Sequence, residues 1–245
     1  MSKEIKDVTF VTYSDHSFLN SKALLCQEAY NFGFRKFSIN DPTTLPKDFL
    51  NLHHNFFQKN KRGAGYWLWK SCIVWNTLNS IDDGEFLLYA DAGCAINENG
   101  KERFNEWIKM ADENNSLSLQ MHHLPEKHWS KMNLVNYLGC NKKEYLESGQ
   151  INATIFLLKK CDITMKIVKE WFDTCSLEWT IDDSISQVEN DPEFKEHRHD
   201  QSVFSLVRKK YNSFTIHDES YPELTHDWND SSIKNSPILA MRRRF

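Results

Sequence analysis

The sequence predicts an α/β fold with a mostly parallel central sheet flanked by helices. Strand-like and helix-like segments alternate along the chain, which is the pattern of repeated β-α units. The apolar run of residues 86–90 has no polar alternation, as expected for a central strand that is covered on both faces. A length of 245 residues suits one such domain, without disulfides or metals to stabilise it.

The N-terminal part of the chain predicts alternating strands and helices. Residues 8–13 are β-branched or aromatic and should form the first strand. A helix then runs to Gly33, a residue suited to a helix end. The following predicted elements are a strand at 37–39, a polar helix at 47–59, a helix from about 68, the strand at 86–90 and a helix at 101–113.

The C-terminal part is less regular. We predict strands at 117–121 and 151–158, an amphipathic helix at about 163–172, a charged loop at 189–199 and a helix that begins at Asp200. From about residue 213 the pattern is irregular. We expect a single domain, 1–245, with an N-terminal half at 8–120 and a C-terminal half at 121–245 that includes a tail.

Composition excludes several classes of protein. The net charge of −4 provides no field for nucleic acid, so we expect no such partner. No apolar run is long enough for a membrane span and residues 1–6 lack an apolar signal region, so we expect a cytoplasmic protein. The local exception in charge is the triplet Arg242, Arg243 and Arg244, which is either a solvated tail or a clamp for phosphates.

Asp91 is the most informative residue of the sequence. It directly follows a buried strand, and ligands of open α/β sheets bind beyond the carboxyl ends of the strands. A carboxylate there can hold a divalent cation that bridges a diphosphate. Ala92 and Gly93 leave space for a bulky ligand. The alternative is a strand-end aspartate that forms an Asx turn.

The segment from Arg62 to Lys70 is a second signal. Its two glycines would allow a ligand to approach the backbone, Tyr66, Trp67 and Trp69 offer faces for stacking, and the two cations suit phosphate. It is neither a phosphate-binding P-loop nor a dinucleotide fingerprint, because the glycine spacing differs. The alternative is a hydrophobic helix start with ordinary surface charges.

A third signal is the block of residues 197–201, His-Arg-His-Asp-Gln. Asp200 is either a general base for an acceptor hydroxyl or a group that orients a sugar, and the simpler alternative is a helix N-cap. The ten histidines contain no H-E-x-x-H motif, so a zinc hydrolase is disfavoured. His226 is a candidate for a late ligand to the cation at Asp91.

Four blocks together resemble a known family, the GT-A nucleotide-sugar transferases of large DNA viruses, bacteria and some algae. Residues 63–70 resemble its G-x-G-Y-W-x-W-K stretch, and residues 87–94 resemble the strand and acidic motif that follow. Residues 129–132 and 197–204 also resemble family blocks. The chlorovirus glycosyltransferase domains are similar in size and in the order of motifs.

The resemblance implies a Rossmann-like GT-A fold, with the nucleotide sugar bound mainly by the N-terminal half and the acceptor by the C-terminal half. The residues implied at the nucleoside are Thr12, Tyr13 and Asp15, and those at the rest of the donor are Arg62, Gly65, Tyr66, Trp67, Lys70, Asp91, Ala92 and Gly93. The residues implied near the sugar or acceptor are Gln150, Asn152, Ala153 and His199, with Asp200 as the acid near the reacting centre.

The cofactor implied by the resemblance is a divalent cation, Mn or Mg. Asp91 matches the first acid of the family's D-x-D motif, whereas Gly93 stands in the place of the second. Either one carboxylate plus the diphosphate holds the cation, with His226 as a further ligand, or the dependence on metal is weak.

The predicted function is transfer of a sugar from a nucleotide-diphosphate donor, a UDP-sugar being favoured, to a hydroxyl of a glycan or glycoconjugate. The alternative is a carbohydrate- or nucleotide-binding module without catalysis, motivated by the missing second acid and by the eight tryptophans. A nucleotidyltransferase is disfavoured, because no basic glycine-rich loop follows the first strand.

Overall fold

The fold is built on one six-stranded sheet in the order β2-β1-β3-β6-β5-β7. It is seen in a computed structural model that describes residues 3–221 and 234–245. The strands are β1 (Val8–Tyr13), β2 (Lys36–Asn40), β3 (Phe86–Ala90), β5 (Ser116–Pro125), β6 (Gly149–Lys159) and β7 (Thr215–His217). A separate two-stranded sheet pairs β4 (Ala95–Ile96) with β8 (Ile238–Leu239).

The sheet is mostly parallel, as predicted. β6 is antiparallel to both of its neighbours, β3 and β5, and every other pairing of the sheet is parallel. The predicted α/β class is therefore confirmed. β6 belongs to the C-terminal half of the chain and lies between β3, of the N-terminal half, and β5, which spans the boundary, so the two halves share one sheet.

Helices cover both faces of the sheet. They are α1 (Leu19–Phe32), α2 (Lys47–Leu52), α3 (His54–Lys59), α4 (Gly63–Tyr66), α5 (Leu68–Ser80), α6 (Lys101–Asn114), α7 (Glu126–Trp129), α8 (Met132–Tyr137), α9 (Lys143–Leu146), α10 (Asp162–Ser176) and α11 (Asp200–Lys210). One core cluster joins α5, α10 and α11 to the sheet, and the other joins α1 and α6 to the opposite face. Alternate side chains of β1 and β3 enter the two cores, because successive strand residues point to opposite faces.

Most predicted elements are present, with three differences. The polar helix predicted at 47–59 is interrupted at His53 and forms α2 and α3. The short strands β7 and β8 lie in the region that we expected to be irregular, because two or three residues are too few to show a period. Asp200 is not an N-cap: His199 occupies that position with a φ of +54°, and Asp200 is the first residue of α11.

The C-terminal segment returns to the sheet edge at which β3 ends. Pairing of β8 with β4 places it there, and the Asn97 side-chain amide donates to the carbonyls of Lys234 and Ser236 at 2.9 and 3.0 Å. Within the described ranges, no helix is both long and apolar enough to cross a membrane.

Candidate active site

Two carboxylates and one ammonium meet where β3 ends. Lys70 Nζ lies 3.2 Å from Asp91 Oδ1 and 3.2 Å from Asp200 Oδ2, and it donates to the Ala153 carbonyl at 3.3 Å. The side chains of Lys70 and Asp200 are each 4% exposed, whereas that of Asp91 is 30% exposed. Asp91 is therefore the member of the cluster that a ligand in solvent can reach.

Tyr89 completes the surroundings of Asp91. Its hydroxyl donates to Asp91 Oδ1 at 2.6 Å, the same oxygen that faces Lys70. Residues two apart on an extended chain lie on one side, which brings this tyrosine to the carboxylate. Asp91 Oδ2 has no hydrogen-bond partner among the described residues, so one oxygen of this carboxylate is open to a ligand.

An irregularity in β6 brings the strand's backbone into the cluster. The pairing of β5 with β6 shifts register between Ser118 and Gln120, which leaves several β6 residues around Ala153 outside the ladder. The Gln201 side chain takes their place: its oxygen accepts from the Ala153 amide at 3.0 Å, and its nitrogen donates to the Ile151 carbonyl at 2.6 Å. One amide side chain thus satisfies two freed backbone groups and leaves the Ala153 carbonyl for Lys70.

Burial and neighbouring charges raise the pKa values of both Asp200 and Lys70. Removal from water and the nearby negative charge of Asp91 together raise the pKa of Asp200 to about 6, against the opposing pull of Lys70. Burial alone would lower the pKa of Lys70, but the two carboxylates raise it above its ordinary value. At neutral pH the cluster therefore holds a charged lysine between two carboxylates.

The glycine-rich segment before α5 forms a left-handed turn. Five successive residues, 63–67, have φ between +50° and +90°. Two of them are glycines, for which this region of φ carries no steric cost. The Cβ of any other residue at Gly65 would overlap the ring of Phe57. The glycines therefore shape this turn, which presents Tyr66 and Trp67 to the rest of the site.

Tyr66 and Trp67 pack on a histidine of the third sequence block. The ring of His199 stacks on Tyr66 at a centroid distance of 4.4 Å and lies 5.6 Å from Trp67. The Tyr66 hydroxyl donates to Asp183 at 2.6 Å, which raises the pKa of the phenol to about 12. Arg62 lies at the rim, 4.0 Å from Glu196, with half of its side chain exposed.

The residues predicted at the nucleoside lie at the end of β1. Thr12 is fully buried, and its hydroxyl has no hydrogen-bond partner among the described residues. The ring of Tyr13 is covered by Trp69, stacked at 3.7 Å. Asp15 accepts from the Ser17 amide at 2.8 Å and caps the short turn that leads into α1. Contact of these residues with a nucleoside stays a prediction.

The residues predicted at the sugar lie in two buried networks. Gln150 donates to Glu126 at 2.9 Å, and its side-chain oxygen has no partner in the described part of the chain. Asn152 donates to Asp218 at 3.1 Å and to Ser220 at 3.4 Å. These side chains are almost fully buried, as are Ala153 and His199, so their contact with a sugar stays a prediction.

The described residues do not form a complete metal site. Residue 93 has no side chain, and one oxygen of Asp91 is already engaged by Lys70 and Tyr89. Over residues 3–221 and 234–245, no group of three histidines, cysteines or acids could hold a metal ion. His226, the other ligand expected from the sequence, lies outside the described residues.

Two residues of the cluster were missed in the sequence. The sequence predicts Tyr89 as part of the buried strand, and its position two residues before Asp91 is the signal for contact. Gln201 stands beside Asp200 in the third block, but nothing in the sequence shows which backbone groups its amide would satisfy. Both act by fixing the positions of groups around Lys70.

No protein-family model and no curated protein sequence matches the chain. Solved structures match it over most of its length. Mouse xyloside xylosyltransferase 1 is 9% identical over 94% of this chain and 91% of that one, with a TM-score of 0.49. A glycosyltransferase involved in glycosylation of the major capsid of PBCV-1 is 13% identical over 96% and 94%, with a TM-score of 0.47.

A third similar structure is the galactosyltransferase LgtC in complex with donor and acceptor sugar analogs. It is 12% identical over 94% of this chain and 86% of that one, with a TM-score of 0.45. At such identities and TM-scores these similarities carry no conclusion about activity. The function has to be inferred from the chain's own residues.

Proposed function

We propose that the chain is a glycosyltransferase that moves a sugar from a nucleotide-diphosphate donor to a hydroxyl of a glycan or glycoconjugate. The observation that carries this proposal is the cluster of Lys70, Asp91 and Asp200 at the end of β3. A buried acid with a perturbed pKa at the ligand-binding edge of an α/β sheet, here Asp200, is typical of catalytic sites. Of the three residues of the cluster, only Asp91 is open to a bound molecule.

The reaction requires an anionic leaving group to be stabilised. The acceptor oxygen forms a bond to the anomeric carbon of the sugar, the bond from that carbon to the phosphate oxygen breaks, and the nucleoside diphosphate leaves with the electron pair. The acceptor proton passes to a base or to water. The cluster has one ammonium and two carboxylates, so the positive charge that stabilises the leaving diphosphate has to come from a bound cation or from other basic residues.

We assign different roles to the two carboxylates. Asp91, through its open oxygen, contacts hydroxyls of the donor sugar or ribose. Asp200 holds the ammonium of Lys70 against Asp91 and fixes the direction of that carboxylate. A role for Asp200 as the base of the acceptor hydroxyl stays a prediction, which its pKa of about 6 favours and its burial opposes.

Among the aromatic residues around the cluster, the partly exposed Trp67 supports a flat or ring-shaped ligand. Tyr66, Trp67 and His199 form one stacked group beside α11. The preference for a UDP-sugar rests on the family resemblance and stays a proposal. So does the divalent cation, for which Asp91 provides one open oxygen.

The test is an Asp91→Asn variant, with Asp112→Asn as a matched control that also removes a carboxylate paired with lysine. Nucleotide sugars are first screened by thermal shift, since a ligand that binds the native state raises its apparent stability. Hydrolysis and transfer of the selected donor are then measured. We expect Asp91→Asn to lower turnover at least about a hundredfold and Asp112→Asn to leave it unchanged. Full activity of folded Asp91→Asn would overturn the assignment.

The second candidate is a carbohydrate- or nucleotide-binding module without catalysis. It is favoured by the glycine at position 93 and by the buried position of Asp200. Calorimetry separates the two functions, because a binding module would bind glycan with no nucleotide present and would release no sugar from any donor.

A further inference from the structure

The C-terminal segment crosses the sheet edge at which β1 and β3 end. Arg243 anchors it: its guanidinium forms a bidentate pair with Glu28 of α1, at 2.7 Å for both contacts. The amide of Arg243 donates to the Gly93 carbonyl at 2.9 Å, and its Nε donates to the Cys94 carbonyl at 3.1 Å. This arginine is therefore a structural anchor, and residues 241–245, which we call the strap, are held beside Asp91.

The two neighbouring arginines are held differently. Arg242 is exposed, and its guanidinium lies 5.5 Å from the ring centroid of Tyr221. Arg244 is also exposed and lies 5.3 Å from the ring of Phe18, which follows β1. The anchor thus places one guanidinium beside the segment that follows β7 and the other beside the segment that follows β1.

Gly93 leaves room for the close approach of the strap. A Cβ at this position would lie 3.1 Å from Arg242 Cα and 3.3 Å from the Arg243 nitrogen, closer than ordinary van der Waals contact. An aspartate there would also place a third carboxylate beside Asp91. The packing of the strap on residue 93 therefore favours glycine over the second acid at this position.

A further guanidinium, from the third sequence block, lies near the strap. Arg198 lies 4.0 Å from the ring centroid of Trp129. Burial lowers the pKa of its guanidinium, the negative charge of Glu196 opposes that shift, and the positive charge of Arg242 adds to it. In the described ranges, no carboxylate lies within 4.0 Å of the guanidinium of Arg198, Arg242 or Arg244. Guanidinium groups that form no ion pair in the described ranges remain able to donate to the oxygens of a bound anion.

We propose that Arg242 and Arg198 bind the diphosphate of the donor, and that the anchored strap supplies the positive charge that a second acid and its cation would otherwise bring. This inference rests on the proposed function. A donor whose nucleoside lies near β1 and whose sugar lies near Asp91 has its diphosphate between them, along the strap. Guanidinium groups match phosphate oxygens with paired donors, and they stabilise the charge of the leaving diphosphate.

The experiment measures binding of inorganic pyrophosphate by calorimetry, with EDTA and separately with excess Mn. The variants are Arg242→Gln and Arg198→Gln, and the matched control is Arg35→Gln, an exposed arginine that likewise stacks on a tyrosine. We expect pyrophosphate binding in EDTA, weakened roughly tenfold or more by Arg242→Gln or Arg198→Gln and unchanged by Arg35→Gln. Glu28→Gln keeps every arginine but releases the anchor, and it should weaken binding severalfold.

The outcomes separate this inference from the proposed function. Unchanged pyrophosphate binding in folded Arg242→Gln and Arg198→Gln, or binding that needs Mn, overturns the role of the strap and leaves sugar transfer untouched. Weaker pyrophosphate binding in both variants, in a chain that transfers no sugar, supports the strap as a phosphate site and overturns the proposed function.

Discussion

Replacement of Lys70 by methionine should destabilise the protein, and more so at high pH. Methionine keeps most of the side-chain volume but removes the ammonium that lies 3.2 Å from both Asp91 and Asp200. Loss of one partner from a buried ion pair costs about 3–5 kcal/mol, because the remaining charge has no counter-charge. Asp200 is the residue that bears this cost, since it is 4% exposed.

The pH dependence follows from the direction of the pKa shift. In the folded wild-type protein the pKa of Asp200 is about 6, above its value in the unfolded chain. The free energy of unfolding therefore falls as pH rises toward 6, and above pH 6 this group no longer makes it depend on pH. Without Lys70 the folded pKa rises further. The variant should therefore continue to lose stability above pH 6, with a slope of up to about 1.4 kcal/mol per pH unit.

The assay is urea unfolding at pH 6, 7 and 8. Lys22→Met is the matched control, because Lys22 is equally buried but donates to the Asn40 carbonyl at 2.9 Å rather than to a carboxylate. Both variants should lose stability, and only Lys70→Met should lose more at pH 8 than at pH 6. A loss for Lys70→Met that is independent of pH, or no loss, would refute the electrostatic account of the cluster.

Three further predictions concern single sites. Gly65→Ala should lower the free energy of unfolding by about 2–4 kcal/mol, because the residue has a φ of +90° and its Cβ would overlap Phe57. Gly84→Ala is the control, since Gly84 has a positive φ but open space around it, and it should lose about 1 kcal/mol in the same urea assay. If ionised Asp200 holds Lys70 in place, turnover should rise with pH through about 6, and Asp200→Asn should abolish that acid limb in a pH-rate profile. Arg208 is fully buried, its guanidinium donates only to serine hydroxyls among the described residues, and burial lowers its pKa to about 9. Arg208→Met removes this buried charge and should raise the midpoint of urea unfolding, and a lowered midpoint would contradict this.

The sequence could predict the elements whose burial has a regular period. β1 and β3 lie in the centre of the sheet and are buried along their whole length, so their apolar runs were sufficient to identify them. The helices α6 and α10 show apolar residues at helical spacing for the same reason. β7 and β8 could not be predicted, because they are short and their partners are distant in sequence.

The direction of β6 is a second feature that the sequence could not give. A buried strand reads as an apolar run whether its neighbours are parallel or antiparallel, so the run at 151–158 indicates a strand without its orientation. The irregular pairing around Ala153 is equally invisible, because it depends on the Gln201 amide that arrives from α11.

By itself, the sequence determined the α/β class, the end of β3 at Asp91 and the three blocks of residues from which the candidate site is built. These are local properties of the chain: hydrophobic period, strand length and residue type. Only the tertiary structure decided that Lys70 is buried between two carboxylates and that Asp91 is the one of these three residues that faces solvent. It also decided that Arg243 is an anchor while Arg242 and Arg244 are exposed. Charge interactions depend on distance and burial, which are set by the packing of segments far apart in sequence.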